Sequence, residues 1–159
     1  MVEIVSAQDH LEQFTALVKE YTESILAQGN EVAEVLANQH LDEELEDVER
    51  KYAPPSGRMY FAYCDGEPAG CAALTRNDDS YCELKRLYVS PRFRNRHIAR
   101  ELMDHAEADA REIGYKYMRL DTFPFMSGAL RLYEKRGFKR VERYNENPAS
   151  SAVFMEKQL

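Results

Sequence analysis

Five side chains suited to binding an anion lie within nine consecutive residues: Arg92, Arg94, Arg96, His97 and Arg100. The chain as a whole has a formal net charge of -7, so this cationic segment departs from the average composition. It precedes a helical pattern, and a helix N-terminus presents unpaired N–H groups and the positive end of the helix dipole. We therefore predict a site for a polyanionic group such as a pyrophosphate. In the alternative interpretation, the arginines only keep an exposed loop soluble.

Residues 92–100, which we call the anion segment, must be positioned by the elements on either side of them. Residues 81–89 predict a strand that leads into it. After it, apolar residues recur at helical spacing, at Leu102, Ala106, Ala110 and Ile113. Gly114 ends this helix, and residues 117–122 predict the next strand. A strand on each side of a long helix predicts a β-α-β unit.

The rest of the chain predicts further strands and three helices. The strands are expected over residues 2–5, 59–64, 69–74, 138–143 and 152–156. Asp65-Gly66 is a hairpin signal and residues 77–80 form another turn, so three consecutive antiparallel strands are expected, the last of which, 81–89, begins the β-α-β unit. One N-terminal helix follows a capping box at residues 6–9, a second, less sharply bounded, ends at Pro54, and a short helix covers residues 127–136. We expect one α/β domain over residues 1–159, with a mixed, mostly antiparallel sheet of about six to seven strands.

Composition excludes several classes of function. The acidic balance excludes a nucleic-acid partner, because binding a phosphate backbone needs a basic face. No apolar run approaches the roughly 20 residues that span a bilayer, and no export signal is visible, so we expect no membrane association and a cytoplasmic location. The three cysteines fall in predicted strands without a CxxC pair, which favours buried reduced thiols. The histidines show no metal-ligand spacing, so no metal is expected.

Two motifs resemble those of the GCN5-related N-acetyltransferases, the GNAT superfamily. The family's cofactor signature, Gln/Arg-x-x-Gly-x-Gly/Ala between a strand and a helix, resembles Arg94-Asn95-Arg96-His97-Ile98-Ala99. Its A-x-x-LYEK-x-GF segment resembles residues 129–138, ALRLYEKRGF. The order of predicted elements agrees from residue 2 to residue 156. The resemblance therefore implies the GNAT fold, with a central β-α-β cofactor-binding unit and two N-terminal helices.

The sequence departs from the family pattern at two positions. His97 stands where the family usually has glycine, and a Cβ there would crowd an approaching pyrophosphate. Histidine adopts left-handed backbone conformations more often than most residues, which would let the loop close. Met126 stands where many members carry an asparagine, so any cofactor contact from that asparagine is lost.

The resemblance implies N-acetyltransferase activity with acetyl-CoA as co-substrate and no metal. The pyrophosphate would lie on the backbone amides of residues 95–100, beside Arg94. The backbone of residues 87–89 would separate from the next strand and hydrogen-bond the pantetheine arm, and an amide of this strand would stabilise the oxyanion. The predicted cofactor-binding residues are Leu87, Tyr88, Val89, Arg94, Asn95, Arg96, His97, Ile98, Ala99 and Arg100.

Glu83 is the predicted general base. It lies on the third antiparallel strand, eleven positions before Arg94, which is the spacing of a strand glutamate used as base in several members of the family. A carboxylate between apolar neighbours in a sheet is expected to have a raised pKa, the direction that a base needs. Two alternatives stay open: a solvent-facing glutamate opposite Lys85, or a chain of waters as the base.

Tyr133 is the predicted general acid, because it corresponds to the family's tyrosine near the thioester sulfur. In the alternative interpretation it is a core residue packed on Leu130 and Phe138. The resemblance implies acetyl transfer to a primary amine of a small molecule or amino acid by direct attack. Two alternatives are a catalytically silent acyl-CoA-binding module and a peptide or protein N-acetyltransferase. A homodimer formed through the C-terminal strands is a further expectation.

Overall fold

The structure of the protein is a computed structural model that describes residues 1–27, 51–124, 126–145 and 152–159. The described residues form a seven-stranded sheet with α-helices on both faces. The strands are β1 (Val2–Ser6), β2 (Arg58–Cys64), β3 (Glu67–Arg76), β4 (Tyr81–Val89), β5 (Tyr117–Thr122), β6 (Lys139–Val141) and β7 (Val153–Gln158). The helices are α1 (Leu11–Leu26), α2 (Ile98–Ile113) and α3 (Ser127–Lys135). No helix of the described residues is long and apolar enough to cross a bilayer.

The sheet has the strand order β1-β2-β3-β4-β5-β7-β6. Neighbouring strands are antiparallel except for β4 and β5, which are parallel and are connected through α2. Parallel neighbours need a crossover of this kind, because a tight turn reverses the direction of the chain and can therefore join only antiparallel strands. The predicted β-α-β unit inside a mostly antiparallel sheet is confirmed.

A hydrophobic cluster covers each face of the sheet. Helices α2 and α3 cover one face, which we call the α2 face, with Leu102 and Leu130 among the buried side chains. Helix α1 covers the other, the α1 face, where Phe14 is fully buried. Side chains alternate along β3, so that Leu74 belongs to the α2 face and Ala73 to the α1 face. Burial of both faces explains the continuous run of small and apolar residues over positions 69–74 of β3.

The tight turns form where the sequence predicts them. Asp65 and Gly66 join β2 to β3 with φ angles of 53° and 81°, the left-handed pair that a two-residue hairpin requires. Gly114 ends α2 at φ 113°, where a side chain would be strained. These two turns fix the hairpin ahead of the β-α-β unit and the exit from its helix.

The three cysteines lie in strands and are buried and free, as predicted: Cys64 in β2, Cys71 in β3 and Cys82 in β4. Burial raises the pKa of the Cys71 thiol, and it raises that of Cys82 to about 12. Both thiols therefore stay protonated, and protonated buried thiols are poor nucleophiles.

Several predicted boundaries are wrong for local reasons. Ser6 caps a short 3-10 helix (Ala7–Asp9) rather than α1, accepting a hydrogen bond from Gln8 N at 3.4 Å. Strand β6 begins after Phe138, because the Phe138 N–H donates to the Tyr133 carbonyl and so belongs to the exit from α3. The second predicted N-terminal helix lies almost entirely outside the described residues.

Candidate active site

Strand β4 contains a bulge in front of the anion segment. Ala73 of β3 pairs with Lys85, but Cys71 pairs with Tyr88. Between these two pairs, one residue of β3 faces two residues of β4. Arg86 absorbs the extra residue at φ 56°. The bulge reverses which side chains face which layer: Leu84 belongs to the α2 face, whereas Tyr88 belongs to the α1 face.

Strands β4 and β5 separate beyond the bulge. Their pairing runs only from Tyr81 opposite Tyr117 to Glu83 opposite Arg119. Tyr88 and Val89 pair with β3, and within the described residues none of residues 87–89 pairs with β5. The separation predicted for these residues is therefore present. It leaves one edge of the β4 backbone available to a ligand, because that edge lacks a strand partner.

A cleft of about 600 Å³ lies beside this end of β4. Its walls also include the start of α2, the N-terminal turn of α3 and one side of α1. Six of the predicted site residues line it together: Leu87, Tyr88, Val89, Arg94, Ala99 and Tyr133. Residues that are distant in the sequence thus converge on one space, which is large enough for the arm of a coenzyme.

The anion segment closes onto the start of α2 through two left-handed residues. Asn95 has φ 65°, and His97, the N-cap of α2, has φ 61° and ψ 23°. Histidine therefore adopts the conformation for which the family pattern uses glycine. The His97 side chain makes no capping hydrogen bond, and the first intrahelical bond runs from Glu101 N to His97 O. The amides of residues 98–100 thus have no intrahelical acceptor, which suits them to an anion.

Tyr133 of α3 is buried and also borders the cleft. Its ring lies 5.8 Å from that of Phe138, centroid to centroid, so the packing role and the predicted catalytic position coexist. Burial raises the pKa of its hydroxyl, and the nearby Tyr21 and the negative charge of Asp121 raise it further. The hydroxyl therefore stays protonated at neutral pH, the state that a general acid needs.

Glu83 of β4 is 7% exposed, so the solvent-facing interpretation is wrong. Its neighbours are polar rather than apolar, which corrects the environment that we predicted. Asn77 Nδ2 donates to Oε1 at 3.2 Å, Tyr144 Oη donates to Oε2 at 2.9 Å, and Lys85 Nζ lies 3.6 Å from Oε2. Glu83 is not among the side chains that line the cleft in the described part of the chain.

Comparisons with known proteins match this geometry. The acetyltransferase (GNAT) family matches residues 15–138. The chain belongs to this family. The uncharacterized N-acetyltransferase C1271.07c of Schizosaccharomyces pombe is 34% identical, over 99% of this chain and 94% of that protein.

Solved structures of other acetyltransferases share the fold of this GNAT enzyme. An acetyltransferase from Streptococcus agalactiae superimposes with a TM-score of 0.80 at 23% identity, covering 99% of this chain and 98% of that one. The PaiA N-acetyltransferase of Thermoplasma acidophilum, solved in complex with coenzyme A, gives a TM-score of 0.72 at 23% identity, covering 100% and 99% of the two chains. The predicted fold class and enzyme class are both confirmed.

The arginines of the acetyltransferase's anion segment divide into two groups. Arg94 lines the cleft, and its Nε lies 3.4 Å from the Val89 carbonyl oxygen. Arg96 points to the β2–β3 turn, where Nη1 lies 3.4 Å from both Asp65 Oδ2 and Cys64 Sγ. Arg92 is similarly paired with Glu67, at 3.5 Å. The side chains of Arg96 and Arg92 therefore attach the segment to the hairpin.

The remaining predicted cofactor-binding residues also lie outside the cleft lining. In the described part of the chain, the side chains of Asn95, His97 and Arg100 do not line it, and Ile98 is buried in the core of the α2 face. Their predicted contribution is through backbone amides, and of residues 95–100 only Ala99 lines the cleft in the described part of the chain.

Alanine substitutions at Arg94 and Arg96 separate these two roles. Arg94→Ala is expected to raise the Kd for acetyl-CoA by about 10- to 150-fold, because a charge-assisted hydrogen bond contributes about 1.5–3 kcal/mol. The difference should shrink as salt rises. Arg96→Ala, the matched control, should change the Kd by less than about threefold, since its guanidinium serves the hairpin. Calorimetric titration measures both, and equal losses would contradict the division.

Gly70 is a site residue that sequence reasoning missed. It lies on β3 opposite Val89, and a Cβ there would come within 2.7 Å of the Tyr88 carbonyl oxygen. The same Cβ would lie 3.4 Å from side-chain atoms of Ile98 and Leu102. The absence of a side chain at Gly70 therefore lets β3, the end of β4 and the start of α2 pack closely.

Gly70→Ala is expected to displace the end of β4. The added methyl group meets backbone that cannot rotate away, so the unfolding free energy should fall by about 1–3 kcal/mol. We also expect a Kd for acetyl-CoA about tenfold higher, through the shifted residues 87–89. Gly128→Ala is the control for stability alone, since an added Cβ there meets no protein atom within 4 Å but Gly128 lines the cleft. Denaturant titration of both variants would contradict us if their unfolding free energies were equal, and calorimetry measures the Kd of Gly70→Ala against wild type.

Helix α1 supplies a further wall of the cleft. Tyr21 and Ser24 line the cleft, and the Tyr21 ring lies 5.3 Å from that of Tyr88. The preceding residue, Glu20, accepts hydrogen bonds from Tyr88 Oη at 2.7 Å and Ser90 Oγ at 2.6 Å. These bonds, from Ser90 first, lower the pKa of Glu20. The ionised carboxylate thus holds α1 against the end of β4 and fixes the width of the cleft.

Proposed function

We propose that this acetyltransferase moves an acetyl group from acetyl-CoA to a primary amine of a small molecule or amino acid by direct attack. The observation that carries the proposal is the convergence of the opened β4 backbone, Arg94 and Tyr133 on one cleft. The bound coenzyme A in the PaiA structure supports the choice of donor, because that protein shares the fold.

Residues of the cleft fit this donor by charge and shape. The amides at the start of α2 and the Arg94 guanidinium would hold the pyrophosphate. The free edge of residues 87–89 would hydrogen-bond the amides of the pantetheine arm. Leu87 and Val89 present apolar surface beside that edge. Acetyl-CoA supplies an activated thioester, and the chain's part is to orient it and to move protons.

In the reaction the substrate ammonium loses two protons and the departing sulfur gains one. Tyr133, protonated and beside the cleft, donates to the sulfur as the C–S bond breaks, and the second proton of the attacking nitrogen restores its phenol. Glu83 takes the proton of the substrate ammonium through solvent in the opening between β4 and β5, because its carboxylate does not line the cleft itself. Tyr144 and Asn77 keep the Glu83 carboxylate in one orientation.

A binding assay paired with a turnover assay tests the function. Acetyl-CoA is expected to raise the melting temperature, and release of free thiol is expected with at least one member of a panel of primary amines. Binding without release on any amine or peptide would replace our proposal by a silent acyl-CoA-binding module. Release with peptides alone would move the acceptor to protein N-termini or lysines. Absence of binding would contradict the proposal altogether.

A further inference from the structure

A buried ion network joins the end of α3 to α2 and to β7. The Glu107 carboxylate on α2 is 2% exposed, and the Arg136 guanidinium donates to it, with Nε 2.7 Å from Oε2. Its other oxygen accepts from Lys157 of β7 and lies 3.7 Å from Arg111 Nη2. Arg136 Nη2 also donates to Asp104, at 2.8 Å. A buried carboxylate is tolerated here because three cations surround it.

Arg136 directly follows α3, the helix that carries Tyr133. The Arg136 N–H donates to the carbonyls of Leu132 and Tyr133, each at 3.1 Å, and the Phe138 N–H donates to the Tyr133 carbonyl at 3.0 Å. At the other end of α3, the side chain of the N-cap, Met126, makes no capping hydrogen bond. The ion network therefore anchors the end of α3 nearer to Tyr133.

Helix α2 takes part in both halves of the site. Its N-terminal turn carries the amides suited to the phosphates, and Glu107 lies nine residues further along the same helix, about 14 Å away at 1.5 Å per residue. Because an α-helix of this length is stiff, the anchor for α3 is fixed relative to the phosphate site.

From this arrangement we infer that the Glu107–Arg136 pair is a positioning device for acetyl transfer: it fixes α3 on α2 and thereby sets the Tyr133 hydroxyl relative to the bound coenzyme. The inference rests on the proposed role of Tyr133. Neither charge touches the cleft in the described residues, so the pair acts only through the placement of α3. Small displacements of a catalytic group cost large factors in rate.

A double-mutant cycle on kcat tests this inference, with acetyl-CoA and the most active amine of the panel above as substrates. Arg136→Met is expected to lower kcat about tenfold in the wild-type background. In the Tyr133→Phe background the same change should alter kcat less than about twofold, because no hydroxyl remains to be misplaced. The KM for acetyl-CoA should stay within about twofold of wild type, because the phosphate site on α2 is untouched.

Two further variants separate positioning from general destabilisation. Arg136→Lys keeps a charge for Glu107 and is expected to recover part of kcat. If Arg136→Met does not fold, the smaller loss expected from Arg136→Lys is measured in both backgrounds instead. Arg111→Met, which removes a Glu107 contact within α2 itself, should leave kcat unchanged. Equal loss of kcat from Arg136→Met in both backgrounds would overturn the inference and leave the role of Tyr133 intact. An unchanged kcat in Tyr133→Phe alone would instead remove Tyr133 from the mechanism, and the inference with it.

Discussion

Tyr133→Phe is expected to lower kcat about 100-fold, the loss typical of removing a positioned acid. The ring remains packed against Phe138, so the fold and the KM for acetyl-CoA should change little. The raised pKa keeps the wild-type phenol protonated. Ionisation of this phenol should therefore not reduce kcat at any pH below about 10, the ordinary pKa of tyrosine. Steady-state kinetics across pH on both proteins provides the measurement.

A second tyrosine serves as the matched control for this prediction. Tyr115 Oη donates to the Ser56 carbonyl at 2.8 Å and does not line the cleft in the described residues. Tyr115→Phe should lower the unfolding free energy by about 1 kcal/mol and leave kcat unchanged. If both variants kept full turnover, the acid would have to be another group or solvent.

Glu83→Gln is also expected to lower kcat about 100-fold, because an amide cannot accept the proton of the ammonium. Glutamine keeps the shape of the side chain and its carbonyl oxygen can still accept hydrogen bonds. It removes the charge opposite Lys85, whose side chain is 9% exposed, so the melting temperature should fall as well. Turnover must therefore be measured well below the melting transition.

A carboxylate elsewhere on the sheet controls for this loss of charge. Glu156 of β7 pairs with Arg119, with Oε1 3.2 Å from Nε. Glu156→Gln should lower stability slightly and leave kcat unaffected. If Glu83→Gln kept full kcat, a chain of waters would accept the proton of the substrate ammonium, the alternative that the sequence leaves open.

The features predictable from sequence are those that depend on local chemistry. The spacing of Leu102, Ala106 and Ala110 predicts α2, and those three side chains are buried on the α2 face. Asp65-Gly66 and His97 adopt the left-handed conformations that their residue types permit. A sequence pattern suffices in these cases because short-range sterics and apolar periodicity determine the outcome.

The features that could not be predicted depend on the register between distant segments. The bulge at Arg86 is visible only when β3 and β4 are aligned, and it decides which side chains reach the cleft. Arg96 resembles an anion ligand in the motif, but Asp65 from the β2–β3 turn engages it. One of the polar neighbours of Glu83, Tyr144, lies sixty-one residues away in the sequence. Tertiary contacts of this kind carry no signal in a single sequence.

Because all three thiols are buried, the folded enzyme is not expected to react with a disulfide reagent of the Ellman type. The colour that develops in a turnover assay then comes from released coenzyme, without a contribution from Cys64, Cys71 or Cys82. When the chain unfolds, its three cysteines add three equivalents of reactive thiol per molecule. The same reagent, added without acetyl-CoA, would therefore count opened molecules and time their opening.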